Sequence, residues 1–511
     1  MSMLGLDIGT TGVKAVAFRE DGTAIASAYR EYNLLSPQSG HLELDPNEVL
    51  EAIRTVTRAV GEETRDDPVR SIATSTLGEA AVPVDKNYQP VGNAIVGFDS
   101  RGEQEMLAFK ERISNQEVFD ITGHGINSYH TLFKILWRRE HDPDTFRRTH
   151  KVLCFGDFLT AQLGLEPRMD YSMGARTLVL DIHRGEWSDR ILEAAALTPE
   201  ILPRPIAPGD PIGELGKLAA DFGLPTGTVV GGGLHDQPAG ILGAGIRPRE
   251  SMLATGTVIC LGVRLSAKPQ GTVMAENNLC YYPTVGGGQY ISIAWNFTGG
   301  SLLKWYRDQL AGPELAVAAK RDVDPYEIIT ADLPPAPTSV LVLPHFTTTG
   351  TPWLDPHALG AIFGLRLTTS RKELVKGILE GILYEIRLNS ELLNDSGVAI
   401  DIYKAIGGAA KSEAWMQIAA DILGRPVAIT TVTEGAALGA ALLGAHASGQ
   451  ISSSAEIDAI VDRAAHVSRV LEPDATRAKQ YDERFAVYRN LYPQTRELSH
   501  RIFDLEDANG A

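Results

Sequence analysis

The chain begins with a strand–turn–strand pattern, Leu4-Gly5-Leu6-Asp7-Ile8-Gly9-Thr10-Thr11-Gly12-Val13. The second apolar run continues to residue 18, and Asp21-Gly22 is a hairpin signal before a third strand over residues 24–29. A P-loop or a dinucleotide fingerprint needs a glycine turn that opens into a helix, whereas this turn opens into a strand. The pattern therefore excludes both of those nucleotide-binding classes at this position and predicts an antiparallel meander.

Length, composition and charge narrow the class of protein. A chain of 511 residues exceeds what one hydrophobic core usually supports, so we expect two domains. Its 44% apolar and 22% charged residues are typical of a globular protein. The net charge of −17 opposes binding to a phosphate backbone or an anionic membrane, so neither nucleic acid nor membrane is an expected partner.

Cysteine usage and the N-terminus favour a cytoplasmic protein. The three cysteines, Cys154, Cys260 and Cys280, form no C-x-x-C pair and predict neither a disulfide framework nor a zinc ribbon. No apolar run reaches the length of a membrane span, and the first residues lack the basic start of a signal peptide. We therefore expect a reducing, cytoplasmic compartment.

Helical and strand patterns alternate from residue 45 to about 245, which indicates an α/β domain. The segment 251–258 loosely echoes the opening strand and glycine-threonine turn, as a duplicated fold would. Helical patterns follow over residues 370–395, 413–423 and 434–445, the last rich in small residues and predicted to pack tightly. We divide the chain into domains at 1–245 and 246–490, with a C-terminal tail at 491–511.

Two glycine-threonine turns could hold phosphates. Gly9-Thr10-Thr11-Gly12 and Thr255-Gly256-Thr257 offer unobstructed backbone N–H groups and hydroxyls, the donors that a polyphosphate needs. Asp7 would point a carboxylate toward the first turn, which suits Mg²⁺ held by one or two carboxylates, water and phosphates. Each turn taken alone is better explained as an ordinary hairpin, and it is the two turns together with Asp7 that favour a phosphate site.

A third glycine-rich segment, Gly407-Gly408-Ala409-Ala410-Lys411-Ser412, precedes the helix predicted over residues 413–423. Two glycines before a helix let a flat ring lie against the backbone, as in a nucleobase pocket. The alternative is an ordinary helix-entry loop.

Asp236 is the candidate general base. It follows an apolar, glycine-rich strand and precedes a helix start marked by Pro238, so the helix N-terminus should keep its carboxylate ionised. Such a carboxylate can accept a sugar hydroxyl proton as that oxygen attacks phosphorus. The alternative is a plain helix-capping carboxylate.

Taken together and in order, these segments resemble the FGGY carbohydrate kinases, members of the sugar kinase/Hsp70/actin superfamily. The resemblance runs from Leu4 to about Leu443 and includes two longer signatures, one at residues 129–137 and one at 360–380 with Gly377 where Ala or Ser is usual. Its short motifs are Leu6-Asp7-Ile8-Gly9-Thr10-Thr11, Gly232-Gly233-Leu234-His235-Asp236-Gln237, Thr255-Gly256-Thr257, Gly299-Gly300-Ser301-Leu302 and Gly407-Gly408 with Ser412.

The resemblance implies an α/β fold of two actin-like (ribonuclease H-like) domains around an interdomain cleft, with ATP and Mg²⁺ as cofactors. Sugar would bind mostly to the first domain and nucleotide mostly to the second, and a homodimer is possible. Asp236 would be the catalytic base, and Asp7 with Asp236 would place the metal. The implied nucleotide-binding residues are Thr10, Thr11, Lys14, Gly256, Thr257, Gly299, Gly300, Gly407, Gly408 and Ser412.

Motif position also implies an acceptor pocket, and D-xylulose is the first choice of acceptor. Where xylulose kinases usually carry Met-His and Trp, this chain has Gly78-Glu79 and Gly97, so gluconate, L-fuculose, L-ribulose and a tetritol stay open. The implied acceptor-binding residues are Gly78, Glu79, Asp99, Arg101, Tyr129 and Gln237.

Two other classes compete with a sugar kinase. A non-enzymatic sugar or nucleotide sensor could keep the cleft without turnover, but carboxylates at both Asp7 and Asp236 argue against it. An actin-like ATPase acting on protein partners is disfavoured by the sugar-side signature at residues 129–137. Near the C-terminus, Tyr481, Phe485 and Tyr488 have helical spacing and are predicted to dock on the protein itself.

Overall fold

The computed structural model describes residues 2–38, 40–99, 101–285, 289–432 and 434–508. Its strands, in chain order, are β1 Ser2–Ile8, β2 Gly12–Phe18, β3 Ala24–Glu31, β4 Glu43–Leu44, β5 Val69–Thr76, β6 Val82–Val84, β7 Ala94–Ile95, β8 Lys151–Leu153, β9 Arg168–Asp170, β10 Leu180–Asp181, β11 Glu186–Trp187, β12 Arg204–Ile206, β13 Pro211–Glu214, β14 Val229–Gly231, β15 Leu234–His235, β16 Glu250–Thr255, β17 Ile259–Leu265, β18 Cys280–Pro283, β19 Tyr290–Asn296, β20 Leu341–Leu343, β21 Ala361–Phe363, β22 Ile402–Ile406, β23 Val427–Thr430 and β24 Val467–Leu471.

The α-helices, in chain order, are α1 Pro46–Glu63, α2 Glu103–Lys110, α3 Asn115–Thr122, α4 Thr131–His141, α5 Pro143–Arg148, α6 Phe155–Gln162, α7 Tyr171–Arg176, α8 Asp189–Ala195, α9 Asp236–Gly243, α10 Val273–Glu276, α11 Gly300–Leu310, α12 Gly312–Arg321, α13 Pro325–Thr330, α14 Arg371–Asp395, α15 Glu413–Leu423, α16 Gly435–Ala447, α17 Ser454–Ala464, α18 Ala475–Tyr488 and α19 Leu491–Ala508.

The opening meander forms as predicted. Strands β1, β2 and β3 pair in antiparallel fashion, because tight turns connect them, and the first two strands are buried almost throughout. The parallel strands β5 and β14 extend this first sheet, whose order is β13-β14-β5-β1-β2-β3, with β15 also paired to β5. Helix α1 contributes buried Val49, Ile53 and Val56 to the core against this sheet.

The second sheet repeats the first. Its order is β18-β19-β17-β16-β22-β23-β24, in which β16 pairs antiparallel with β17 and parallel with β22, as β1 does with β2 and β5. The outer strands match too, since β22 and β23 are parallel and β24 closes the edge in antiparallel fashion. The faint echo between the two glycine-threonine segments therefore reflects two domains built on one plan.

Helix α16 packs on the first domain. It comes late in the chain, yet it packs against strand β1 of the first sheet: a Cβ placed on Gly5 would fall 1.8 Å from the carbonyl oxygen of Ala437. It also packs on helix α9, since a Cβ on Gly439 would fall 2.1 Å from the carbonyl oxygen of Ala239. The small residues of this segment permit backbone-to-backbone contact, which confirms the prediction of a tightly packed helix.

The C-terminal helices close over the second domain. Tyr481, Phe485 and Tyr488 of α18 are buried, and the Tyr481 and Tyr488 hydroxyls donate to Glu380 and Glu385 at 2.8 Å, so the docking prediction is confirmed. The segment predicted as a tail is helical over Leu491–Ala508. Within the described ranges, no helix has the length and apolar character needed to cross a bilayer.

Candidate active site

Three neighbouring strands of the first sheet end at one edge, and the candidate catalytic groups lie there. Asp7 of β1 is the register partner of Ser75 in β5, and Leu234 of β15 is paired with the same serine. These pairings are parallel, so the carboxyl ends of all three strands meet. Asp236 begins helix α9 directly after β15, which brings it to the edge where Asp7 lies.

Asp236 is held in its ionised form. Burial by itself raises the pKa of this carboxyl, but the contact with His235, the backbone N–H of Gln237 and the charge of Arg176 together bring it below its ordinary value. Nε2 of His235 lies 2.9 Å from Oδ1 of Asp236. The Asp236 side chain is 35% exposed, so a ligand can reach it. Because it is ionised, its carboxylate can accept a proton.

A chain of hydrogen bonds fixes the segment that carries Asp236. The backbone N–H of His235 donates to Oγ of Ser172 at 2.8 Å, and that hydroxyl donates to Oδ1 of Asp170 at 2.5 Å. Asp170 also caps helix α7 by accepting from the backbone N–H groups of Ser172 and Met173. Two separated segments, residues 170–173 and the one that carries His235 and Asp236, are thereby tied together, which limits the freedom of the carboxylate.

Asp236 also lies where the two domains meet. Burial raises the pKa of Cys260 in β17, and the negative charge of Asp236 raises it further, which places this carboxylate close to the second sheet. The ring of His235 packs 6.0 Å from the ring of Tyr282, in β18 of the same second sheet. A group bound beside Asp236 would therefore contact both domains.

Asp7 provides an acidic neighbour suited to a divalent cation. Burial raises its pKa to about 6, the hydrogen bond from Ser75 (2.6 Å) opposes the shift, and the negative charges of Asp236 and Glu434 add to it. Like charges gathered in a partly buried place are relieved by a bound cation, and carboxylate oxygens are the ligands that Mg²⁺ prefers. The residues present therefore fit a magnesium ion.

The first glycine-threonine turn is a formed loop with exposed donors. The N–H of Gly9 donates to the carbonyl of Gly12 at 2.9 Å, and the Tyr32 hydroxyl donates to the same carbonyl at 3.1 Å. Thr10 is half-buried and Thr11 is exposed at the tip. Hydrogen bonds therefore fix the two ends of the turn at Gly9 and Gly12, and Thr10 and Thr11 are accessible to a ligand.

Lys14, the remaining candidate near this turn, is engaged elsewhere. Its Nζ lies 2.5 Å from Oε1 of Glu434, at the start of helix α16, and both side chains are about one-third exposed. The pair links β2 to the start of helix α16. Binding of a phosphate by Lys14 would therefore compete with Glu434.

The second turn is braced by a helix start. Gly256 and Thr257 are exposed between β16 and β17, and their carbonyls accept from the N–H groups of Gly300 and Gly299 at 2.9 Å. A Cβ on Gly299 would fall 2.8 Å from the backbone nitrogen of Ile259, so glycine is required for this approach. Helix α11 begins at Gly300, and Gly299 directly precedes it.

The third glycine segment lies beside the second turn. Strand β22 is parallel to β16, and a Cβ on Gly407 would fall 2.9 Å from the carbonyl oxygen of Thr255. Gly407 has a φ of +95°, which a side chain would oppose, whereas a Cβ on Gly408 would meet open space. Ser412 caps helix α15 by accepting from the N–H of Trp415, so its hydroxyl already has a structural task.

Gly78, Glu79 and Tyr129 lie together on the acceptor side. They gather around Arg176: Nη2 of this arginine makes a charge contact with Oε1 of Glu79, and its guanidinium lies 5.0 Å from the centroid of the Tyr129 ring. A Cβ on Gly78 would fall 3.0 Å from Nε2 of His235. These residues therefore lie around the segment that carries Asp236.

Asp99 and Arg101 form a separate buried cluster. Both oxygens of Asp99 accept from Arg101, at 2.6 and 2.9 Å, and Nη1 of Arg101 donates to Glu43 at 2.8 Å. The Arg101 guanidinium also lies 4.8 Å from a ring centroid of Trp137. Burial opposes the ionised form of Asp99, but these hydrogen bonds lower its pKa. Gln237 is partly exposed in the first turn of α9.

Sequence reasoning named no role for Arg176 or His235, although both contact the candidate residues. The available signal for Arg176 was an arginine in an otherwise small and apolar helix, which is uncommon unless the charge is paired. His235 precedes the candidate base and was noted only as part of its motif. Their importance depends on partners that lie far away in the chain.

Known proteins are similar to this chain over nearly its whole length. A 26% identical relative is a xylulose kinase of Bacillus subtilis (strain 168), matched over 97% of this chain and 98% of that protein. A gluconokinase of the same organism is 27% identical over 96% of this chain and 95% of its own length. The crystal structure of a xylulose kinase from Rhodospirillum rubrum superposes with a TM-score of 0.87, at 27% identity, covering 98% of this chain and all of that one.

The predicted fold class is therefore confirmed. Two family models match in order: the FGGY family of carbohydrate kinases, N-terminal domain, over residues 2–243, and the C-terminal domain of the same family over residues 252–448. The first match contains the edge with Asp7 and Asp236, and the second contains the turns at Gly256 and Gly407. With both halves matched and their sheets built on one plan, the protein belongs to the FGGY family of carbohydrate kinases.

Proposed function

We propose that this sugar kinase transfers the γ-phosphoryl group of ATP to a hydroxyl of D-xylulose, giving D-xylulose 5-phosphate and ADP. One observation carries the proposal: an ionised, partly exposed Asp236 lies at the domain junction beside a second carboxylate, Asp7. The xylulose kinases of Bacillus subtilis and Rhodospirillum rubrum, similar along nearly the whole chain, support the choice of acceptor.

Asp236 acts as the general base in this proposal. Its carboxylate accepts the proton of the attacking hydroxyl while that oxygen forms a bond to the γ-phosphorus. The bond between this phosphorus and the β–γ bridging oxygen breaks, and ADP leaves with the electron pair. A positioned base of this kind typically contributes about 10²–10⁴-fold to the rate.

Asp7 and Asp236 would hold Mg²⁺, which when bound supplies positive charge that screens the phosphate oxygens. The two glycine-threonine turns present the donors for the phosphates: Thr10 and Thr11 from the first domain, Gly256 and Thr257 from the second. Gly299 and Gly300 brace the second turn.

The adenosine would lie against Gly407 and Gly408, where a flat ring meets no side chain. Ser412 keeps the helix start in place beside them. Lys14 would contribute to phosphate binding when its pairing with Glu434 is exchanged for the ligand.

The acceptor would bind on the first domain, against Gly78, Glu79, Tyr129 and Gln237, with Asp99 and Arg101 shaping the wall behind them. We retain 1–245 as the sugar-side domain, 246–490 as the nucleotide-side domain and 491–511 as the C-terminal segment. Closure of the two domains would exclude water, which otherwise competes with the sugar for the phosphoryl group.

Gluconate is the second candidate acceptor, favoured by the 27% identical gluconokinase of Bacillus subtilis. L-Fuculose, L-ribulose and a tetritol follow it. ADP release measured over a panel of ketoses, aldonates and polyols tests the proposal. We expect the highest kcat/KM with D-xylulose, and a higher value with any other acceptor would replace it. Binding of sugar and ATP without any ADP release would instead favour the sensor.

A further inference from the structure

The acceptor side contains a buried ion pair that the fold leaves incompletely satisfied. Glu79 and Arg176 are 5% and 6% exposed, and Oε1 of the first contacts Nη2 of the second. Within the described part of the chain, Nε and Nη1 of Arg176 have no hydrogen-bond partner. Buried polar atoms are almost always paired in native proteins, so unpaired ones beside a candidate base point to a ligand.

The backbone at Glu79 supports this interpretation. This residue has a φ of +60°, a left-handed conformation that costs a non-glycine residue free energy. It follows the end of β5, at the edge where Asp7 and Asp236 lie. Strain of this kind is typical of residues held in place for binding.

Two glycines make room for the pair. A Cβ on Gly97 would fall 2.5 Å from Oε2 of Glu79, and a Cβ on Gly78 would fall 3.5 Å from Nε of Arg176. The positions where this chain departs from the xylulose-kinase pattern, Gly78-Glu79 and Gly97, therefore form one packed unit. A larger side chain at position 97 would clash with the Glu79 carboxylate where it now lies.

Arg176 links this unit to both domains. Its guanidinium lies 5.0 Å from the ring centroid of Tyr129 in the first domain and 5.9 Å from that of Trp295 in the second. Its charge also reaches Asp236. The pocket thus contains one arginine against the carboxylates of Glu79 and Asp236, an excess of negative charge before any acceptor enters.

We propose that the Glu79–Arg176 pair determines acceptor specificity and selects a neutral polyhydroxy acceptor over an acid sugar, an inference that rests on the proposed kinase function. A hydroxyl both donates and accepts, so it can satisfy the guanidinium N–H groups and the carboxylate oxygens together. An acid sugar brings a group that only accepts and carries the same charge as Glu79 and Asp236, which opposes its binding.

A matched pair of five-carbon acceptors tests the inference. Purified full-length protein is assayed with D-xylulose and with D-xylonate. They share carbons 3 to 5, but the ketose has a C1 hydroxymethyl group and a C2 carbonyl where the aldonate has a C1 carboxylate and a C2 hydroxyl. We expect kcat/KM to be at least about 100-fold higher for the ketose. A preference for D-xylonate would overturn the inference.

Glu79→Gln removes one negative charge from the pocket and leaves its shape nearly unchanged. We expect kcat/KM for D-xylulose to fall and the ratio of D-xylonate to D-xylulose to rise at least about tenfold. Glu385→Gln is the matched control, since Glu385 is also buried but pairs with His345 and Tyr488. A folded Glu79→Gln protein with an unchanged ratio would contradict a specificity role.

Gly97→Ala gives an independent test if loss of the Glu79 charge harms folding. The added methyl displaces Oε2 of Glu79, so KM for D-xylulose should rise at least about tenfold while KM for ATP stays within about twofold. Gly312→Ala is its control, because a Cβ there meets nothing within 4 Å. An unchanged KM for D-xylulose would count against the packed unit.

Calorimetric titration separates this inference from the proposed function. If no acceptor supports ADP release, the kinase function with these acceptors fails, yet both five-carbon compounds can still be titrated into the protein. Tighter binding of D-xylulose would uphold the selective pocket, whereas equal or tighter binding of D-xylonate would reject it.

Discussion

Asp7 and Ser75 face each other in the parallel register of β1 and β5, and the serine hydroxyl donates to Oδ1 of Asp7 at 2.6 Å. The other carboxylate oxygen keeps its lone pairs for a cation. Burial raises the pKa of Asp7, and the negative charges of Asp236 and Glu434 raise it further. The arrangement costs the folded protein free energy in the absence of a cation, as expected for a site that serves binding.

Replacing Asp7 should weaken the use of Mg²⁺. In Asp7→Asn the neutral amide is a poorer ligand for a hard cation, so the Mg²⁺ concentration for half-maximal ADP release should rise at least about tenfold. A titration of Mg²⁺ at saturating ATP and acceptor measures this. Asp401→Asn, which removes a surface carboxylate paired with Arg249, is the control. An Asp7→Asn curve that superposes on the wild-type curve would contradict the metal role.

The same variant should be more stable than the wild type at alkaline pH. Burial raises the pKa of Asp7 from 3.8 to about 6 in the folded protein. Protonated Asp7 therefore contributes its full stability to the fold below pH 3.8, and this contribution is lost as the pH rises through 6. Asn is neutral throughout. Melting temperatures in EDTA should favour Asp7→Asn at about pH 8 and converge toward about pH 4. If the melting temperature of Asp7→Asn exceeded that of the wild type by more as pH falls, the pKa of Asp7 would not be raised in the folded protein.

Removing the carboxylate of Asp236 should abolish phosphoryl transfer without loss of nucleotide binding. For Asp236→Asn we expect kcat to fall by about 10²–10⁴-fold, because the attacking hydroxyl keeps its proton. Calorimetric titration of ATP should give a dissociation constant within about threefold of wild type. Transfer retained within about tenfold would exclude Asp236 as the base.

Local structure was predictable from the sequence because its signals are local. Ser370 and Glu373 form the capping box of α14, which begins at Arg371 and ends at Asp395 within the predicted segment. Asp21-Gly22 marks the hairpin between β2 and β3. That Asp7 and Asp236 share a site was expected from the family resemblance, and the parallel pairing of β1, β5 and β15 supplies the structural reason.

Long-range pairing was not predictable in this way. Nothing near Glu79 or Arg176 in the chain indicates that they meet, since periodicity reports only which face of an element is buried. The local sequence likewise gives no indication that Gly5 contacts Ala437. At Ser412 the sequence allows two roles, because a serine hydroxyl can either cap a helix or bind a nucleotide. The structure shows that this hydroxyl caps α15.

Gly407 offers a test of the nucleotide side. Gly407→Ala places a side chain at a φ of +95° and 2.9 Å from the carbonyl oxygen of Thr255, so β22 must move away from the second turn. We expect KM for ATP to rise at least about tenfold, with KM for the acceptor within about twofold. Gly312→Ala serves as the control. A rise in KM for the acceptor alone would contradict the assignment of this segment to the nucleotide.

Gly5 tests whether helix α16 holds the two domains together. In Gly5→Ala the added Cβ would fall 1.8 Å from the carbonyl oxygen of Ala437, and a backbone atom cannot rotate away as a side chain can. Overpacking usually costs about 1–3 kcal/mol, and this clash should reach the upper end. The midpoint of urea unfolding, followed by circular dichroism, should fall, whereas Gly312→Ala should leave it unchanged.

The functional consequence of the same change distinguishes a joint from a simple core contact. Helix α16 starts beside Glu434, which pairs with Lys14 of β2, so a displaced helix also disturbs the link between the phosphate turn and the second domain. Gly5→Ala should therefore lower kcat even at a temperature where circular dichroism shows it fully folded. Full kcat in that folded protein would mean that α16 supports the first sheet without coupling the domains, because closure would then proceed despite the altered contact.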